Sequence, residues 1–177
     1  MQLQLSHYEI DYYYLPLRRF NPKGKRRGMA ERLLRAHFEK AGWTVWRGGF
    51  LHQLAATDIY PNVKRKYSRL QKLLEQERPK HWELLQLFCA VHHGMPDFIV
   101  YRQGVLKFIE CKLGHEQLGN YQKQCLPRLK KLGFTVEVWK IVDDCTKTRR
   151  AKINILTGEK TICEKQERLK QRYPQTI

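Results

Sequence analysis

Apolar positions recur every three to four residues over 29–41, where Ala30, Leu34, Phe38 and Ala41 form one stripe and Gly42 supplies a C-terminal stop. Residues 43–47 (WTVWR) read as a strand that Gly48-Gly49 breaks. Two amphipathic helices follow over 62–78 and 80–92, separated near Pro79. Tyr67, Leu70 and Leu74 make the stripe of the first, and Trp82, Leu85 and Phe88 that of the second. Residues 97–101 (DFIVY) and 105–112 (VLKFIECK) are short β segments around Gln103-Gly104, a hairpin signal. Asn120 is expected to cap a helix running to Leu132 and closed by Gly133, with Pro127 kinking it or loosening a turn. Residues 135–142 (TVEVWKIV) read as a strand, and the tail holds a further hairpin, INIL-TG-EKTIC, before a charged last helix.

Upstream, residues 8–17 (YEIDYYYLPL) read as an aromatic strand or arm, and 18–27 as a basic loop. The pattern contains no internal repeat. It predicts one domain over 1–177, with a helical insertion at about 60–92 and a C-terminal extension at about 143–177. Without the insertion, the order is helix, strand, hairpin, helix, strand. That order predicts an α/β fold, a mixed sheet flanked by helices. The basic face of the helical pair suggests that it binds substrate or a second subunit rather than completing the core.

Charge changes the picture. Lys and Arg number 34 against 17 acids, a formal net charge of +17. Such an excess repels itself unless a polyanion neutralises it, and DNA is the expected partner. The basic residues are spread along the whole chain, which argues against a membrane-surface protein. Five cysteines, widely spaced and without a CxxC pair, argue against a disulfide scaffold or a zinc site. No signal peptide and no membrane-spanning run are evident, so a cytoplasmic, nucleoid-associated location is the expectation.

Side chains alternate along a strand, so Leu106, Phe108, Glu110 and Lys112 share one face. If Gln103 and Gly104 form a two-residue loop, Arg102 faces Val105, and counting outward Asp97 faces Glu110. A three-residue loop would move Asp97 one step off. Opposed residues have Cβ atoms roughly 5 Å apart, and two carboxylates there are destabilising unless a cation sits between them. A divalent cation with hard oxygen ligands meets that requirement. Glu31 lies at the edge of the stripe of the first helix. There it can be a solvated residue, a helix-start charge, or an acid pointing into a site over the sheet. Gln122 has a similar edge position beside Tyr121, Cys125, Leu129 and Leu132.

At these residues the sequence resembles the PD-(D/E)XK nucleases. Pro96-Asp97 in MPDF is followed by Glu110-Cys111-Lys112 in FIECK. The continuation LGNYQKQCLPRLKKLGFTVEVWKI, with Gln122 and Gly133, resembles the VRR-NUC subgroup. The segment 26–43, with its acid at Glu31, resembles the first helix of VRR-NUC proteins and of archaeal Holliday-junction resolvases. The resemblance covers roughly 27–48 and 94–142. It implies a restriction-endonuclease-like fold of core order αβββαβ and a Mg²⁺-dependent endonuclease acting on DNA, with Mn²⁺ able to substitute. It also implies that Asp97, Glu110 and the Cys111 carbonyl bind the metal and that Lys112 assists the attacking water. By the same resemblance, Glu31, directly or through a water, and Gln122 are expected to support the site. The Cys111 side chain should face away from the metal.

Other features are secondary. Arg18, Arg19, Lys23, Lys25, Arg26 and Arg27 precede the first helix and are the first candidates for phosphate contacts. Lys64, Arg65, Lys66, Arg69 and Lys72 are either a solvated helix face or a backbone clamp. His92-His93 more often end a helix than bind metal. Tyr12, Tyr13 and Tyr14 suit an edge strand better than base stacking. Trp43 and Trp46 read as strand packing. Two symmetric cuts usually need two sites, so a homodimer is expected. Structure-selective action on branched DNA is the finer expectation. The rival readings are a DNA-binding or architectural module with vestigial acids, and a sequence-specific restriction or homing endonuclease.

Overall fold

The computed structural model describes residues 6–17, 28–49, 60–77, 79–91 and 93–166. A 3-10 turn at Ser6–Tyr8 leads into β1 (Glu9–Leu17). Then come α1 (Met29–Lys40), β2 (Thr44–Arg47), α2 (Pro61–Glu77), α3 (Pro79–Val91), β3 (Phe98–Arg102) and β4 (Val105–Leu113). The chain continues through α4 (Asn120–Lys131), β5 (Thr135–Asp143), β6 (Thr148–Asn154) and β7 (Lys160–Lys165). The seven strands form one mixed sheet in the order β2-β3-β4-β5-β1-β6-β7. From α1 to β5 the core order is αβββαβ, and the fold is restriction-endonuclease-like.

The sheet is covered on both faces. Leu34 and Phe38 of α1 pack on Val45, Phe98, Val100, Ile109 and Cys111 on one face. The other face buries Trp46, Ile99, Leu106, Phe108, Val136 and Val138 beneath Leu126 and Leu129 of α4. The stripes of α2 (Tyr67, Leu70, Leu74) and α3 (Trp82, Leu85, Phe88) belong to this same cluster. The helical pair therefore completes the core, against the expectation that it would serve only substrate or a partner. Six large buried side chains at about 2 kcal/mol each approach the whole net stability of a domain, so the pair cannot be a detachable accessory. α2 also closes the open edge of β2. The Tyr67 hydroxyl accepts the Arg47 N–H at 2.9 Å and donates to the Arg47 carbonyl at 3.1 Å, while Trp46 Nε1 donates to the Lys66 carbonyl at 2.9 Å. Covering an edge in this way prevents edge-to-edge pairing. Pro61 and Pro79 open their helices, where a missing N–H costs nothing.

β1 is not an edge strand. It lies inside the sheet, parallel to β5 and antiparallel to β6. Tyr12 is buried, and Tyr13 stacks on Trp139 with ring centroids 4.8 Å apart. The edge-strand reading of the tyrosines fails because the partner strand lies far away in sequence, where local alternation carries no information. The tail hairpin is present as β6 and β7. The residues after 166, in the tail where a charged last helix is expected, lie outside the described residues. α4 runs through Pro127 without interruption, and its cap is Gly119 rather than Asn120. No helix of the described residues is long and apolar enough to cross a membrane.

Candidate active site

The β3–β4 hairpin sets the site. Gln103 and Gly104 have φ of 49° and 80°, a two-residue turn with both central residues left-handed, and Arg102 pairs with Val105. Phe98 pairs with Ile109, so one step beyond, Asp97 stands opposite Glu110, as the two-residue loop requires. Asp97 Oδ2 accepts the Cys111 N–H at 2.8 Å. The segment that carries Asp97 is held by two close approaches. A Cβ on Gly48 would sit 2.0 Å from the Pro96 carbonyl oxygen, and the Gly48 N–H donates to the Asp97 carbonyl at 3.0 Å. A Cβ on Gly94 would come within 2.5 Å of the Tyr121 backbone at the start of α4. Sequence reading took Gly48 only as a strand breaker and passed over Gly94. Both admit backbone where a side chain would displace Asp97 or Gln122.

Glu110 is 1% exposed and receives two donors on Oε1: Lys112 Nζ at 2.6 Å and Gln122 Nε2. Gln122 is the third residue of α4, and its Oε1 accepts the Gly119 N–H at 2.9 Å. One side chain thus caps the helix and holds the carboxylate. Glu110 Oε2 is buried and makes no well-formed hydrogen bond, with the Asp97 N–H and carboxyl lying beside the Glu110 carboxyl. Burial first, then the Asp97 carboxylate, push the Glu110 pKa up to about 8, while Lys112 pulls it back. Burial likewise raises Asp97, and Glu31 adds to this, against the Cys111 N–H and Lys112.

Glu31 lies in the first turn of α1, on the other face of the sheet. Its charge is felt at Asp97 and Cys111, but it makes no hydrogen bond to Asp97 or Glu110. The Cys111 side chain is buried with Leu34 and Phe38, on the opposite face from Glu110. Burial, then Asp97, Glu31 and Glu110, push its thiol up, so it stays protonated and is no nucleophile.

Among the described residues, no group of three or more His, Cys, Asp or Glu side chains is close enough to hold a metal ion. The site offers a pair of acids instead. That pair suits a small hard cation, which keeps several waters and takes one or two carboxylates. The orphaned Glu110 Oε2 is the observation that fits such an ion, since a buried oxygen without a well-formed hydrogen bond calls for a cation.

Of the basic candidates, Lys64, Arg65, Lys66 and Arg69 are exposed on α2. Arg18, Arg19, Lys23, Lys25, Arg26 and Arg27 lie outside the described residues, as does His92. His93 is exposed, with its ring 5.6 Å from that of Tyr121. Sequence reading missed Arg35 and Arg47, which with Asn62, Lys66 and Phe98 line a cleft of about 300 Å³ beside the start of β3, the strand that follows Asp97. It also missed Glu116, whose Oε2 accepts the Leu113 N–H at 2.8 Å and closes the turn after β4.

No curated protein matches the chain. The family model of the VRR-NUC domain matches residues 26–143, a stretch that includes α2 and α3 as well as every acid of the site. With that match over about two thirds of its length, the chain belongs to the VRR-NUC family and carries a nuclease-type domain.

Proposed function

We propose that this protein is an endonuclease that hydrolyses phosphodiester bonds of DNA with Mg²⁺ held by Asp97, Glu110 and the Cys111 carbonyl. The observation that carries the reading is Glu110 Oε2, buried without a well-formed hydrogen bond beside a second carboxylate. When bound, Mg²⁺ supplies neutralisation of the charge that develops on the phosphate and lowers the pKa of a water. Mn²⁺ offers the same hard acceptor for oxygen ligands and substitutes. Asp97 is oriented by the Cys111 N–H, and Gln122 fixes Glu110 by one oxygen, leaving the other for the ion. The Lys112 ammonium, anchored on Glu110, stands where it can donate to a phosphate oxygen and steer the attacking water. Glu31 tunes Asp97 through its field or through a water. The basic residues of 18–27 and of α2 hold the DNA backbone, and branched DNA is the preferred substrate. A homodimer would place two such sites on two strands.

The test is incubation with linear, flapped and four-way DNA in Mg²⁺, Mn²⁺ and EDTA. Cleavage is expected with either ion and is lost in EDTA, and four-way DNA is expected to be cut best. Cleavage undiminished in EDTA would sink the metal assignment. Tight binding without cleavage of any substrate would leave a DNA-binding module instead.

A further inference from the structure

Strand register lays two rows of side chains across the face that carries Glu110. Glu110, Val138 and Tyr12 form one row over β4, β5 and β1, and Lys112, Lys140 and Tyr14 form the next. Lys140 is 8% exposed, yet among the described residues its side chain makes no hydrogen bond or ion pair. The charges around it do not compensate. Burial, then Lys160, disfavour its ammonium, and Lys112 adds to this. Glu116 alone favours it, and the Glu116 Oε2 is already taken by the Leu113 N–H. Lys112 is committed to Glu110, and Lys160 stands over the Tyr14 ring, 5.1 Å from its centroid.

The stem of Lys140 is buried while its ammonium reaches solvent, so the charge is presented at the surface of this face with no carboxylate paired to it. Two lysines in direct register, with Cβ atoms roughly 5 Å apart, repel each other. Sequence alternation explains why position 140 faces this side but not why a lysine stands there, where Val136 and Val138 of the same strand face are apolar. An anion with several oxygens would relieve that repulsion.

We infer that Lys140, with Lys160, forms a subsite for a phosphate of the cut strand next to the scissile one that meets Lys112. This rests on the nuclease reading above, since it places the row one step beyond Glu110 on the same face. A backbone held there runs across the sheet from β4 toward β1, with Tyr14 beneath it and the scissile phosphate at Lys112. Lysine suits the role as a compact point charge that grips a phosphate without demanding a fixed orientation.

The experiment uses the full chain, its Lys140→Met and Lys140→Arg variants, and DNA in which one methylphosphonate, a neutral linkage, is moved in turn through the positions around the cut. Without DNA, Lys140→Met should melt no lower than the native protein, because the repulsion from Lys112 and Lys160 has gone. In Mg²⁺ it should show a KM about tenfold higher with kcat within twofold. Lys140→Arg should keep the native KM. A neutral linkage next to the cut should cost the native protein the same tenfold and cost Lys140→Met nothing further. The scan on the native protein alone keeps the test intact should a variant misfold. An unchanged KM in Lys140→Met, or no sensitive linkage beside the cut, would overturn the subsite while leaving the nuclease reading in place. Should the native protein cut nothing, yet Lys140→Met weaken DNA binding tenfold in Ca²⁺, the anion site would stand and the nuclease reading would fall.

Discussion

Two lysine–glutamate pairs lie on opposite faces of the region where β4 meets β5, and both are 2.6 Å long. On the α1 side, Lys107 meets Glu137. On the α4 side, Lys112 meets Glu110. Both carboxylates are almost fully buried, so distance and burial do not tell the pairs apart. The remaining partners do. Glu137 has a donor on each oxygen, Lys107 on Oε1 and Trp139 Nε1 on Oε2, and Lys107 lies over the Trp43 ring. Glu110 crowds two donors on Oε1, leaves Oε2 without a well-formed hydrogen bond, and faces a second acid. The first pair is closed and structural. The second is unfinished, and unfinished hydrogen bonding in a buried place is where a fold gives up stability for chemistry.

Replacing each lysine in turn tests this contrast most severely. Lys112→Ala should lower the cleavage rate on the order of a hundredfold or more, because on the proposed mechanism it removes a group that acts on the transition state. DNA binding should barely change, since one phosphate contact shifts the salt slope by about one unit at most. Gel shifts in Ca²⁺ and cleavage in Mg²⁺ separate the two effects. Lys107→Ala should do the reverse. It leaves a buried Glu137 oxygen without its donor, which should cost about 1–3 kcal/mol in urea unfolding. Cleavage per folded molecule should stay native. Equal losses of cleavage in the two variants would make the pairs equivalent and remove the site assignment.

A smaller effect concerns pH. In the metal-free fold, Glu110 keeps its proton up to about 8, whereas the unfolded chain loses it near the ordinary value of 4.5. Between those values the folded state binds more protons, so this group makes stability fall as pH rises. Glu110→Gln removes the titration, and its stability relative to native should grow from pH 5 to pH 8. A flat difference across that range would mean that Glu110 ionises normally.

Much of the site was legible because it is local. A two-residue turn fixes register over the few residues on either side, which is enough to oppose Asp97 and Glu110 and to put Lys112 on the Glu110 face. Gln122 was found from the resemblance and from its edge position, but its two hydrogen bonds, accepted from the Gly119 N–H and donated to Glu110, were not, since they depend on where α4 begins. The α2 and α3 stripes were read correctly and their role was not. The same periodicity serves a helix that covers a core and one that covers a partner. Gly48 and Gly94 were opaque for a related reason, because the backbone they admit comes from residues far along the chain. Lys140 looked like an ordinary member of a strand until β1 and β4 supplied its neighbours.

The place of β1 has a consequence for how the molecule is made. Asp11 pairs with Glu137, so 126 residues separate the strand from its parallel partner. At roughly 5–20 residues per second, a ribosome needs about 6–25 s to supply that partner. During that interval the aromatic segment 8–17 has neither neighbour, because β6 comes later still. Contacts so distant in sequence also slow folding, since loop closure precedes any gain from pairing. The strand emerges first and is among the last to be secured, and its tyrosines are the surface that a nascent chain would most need to keep from its neighbours.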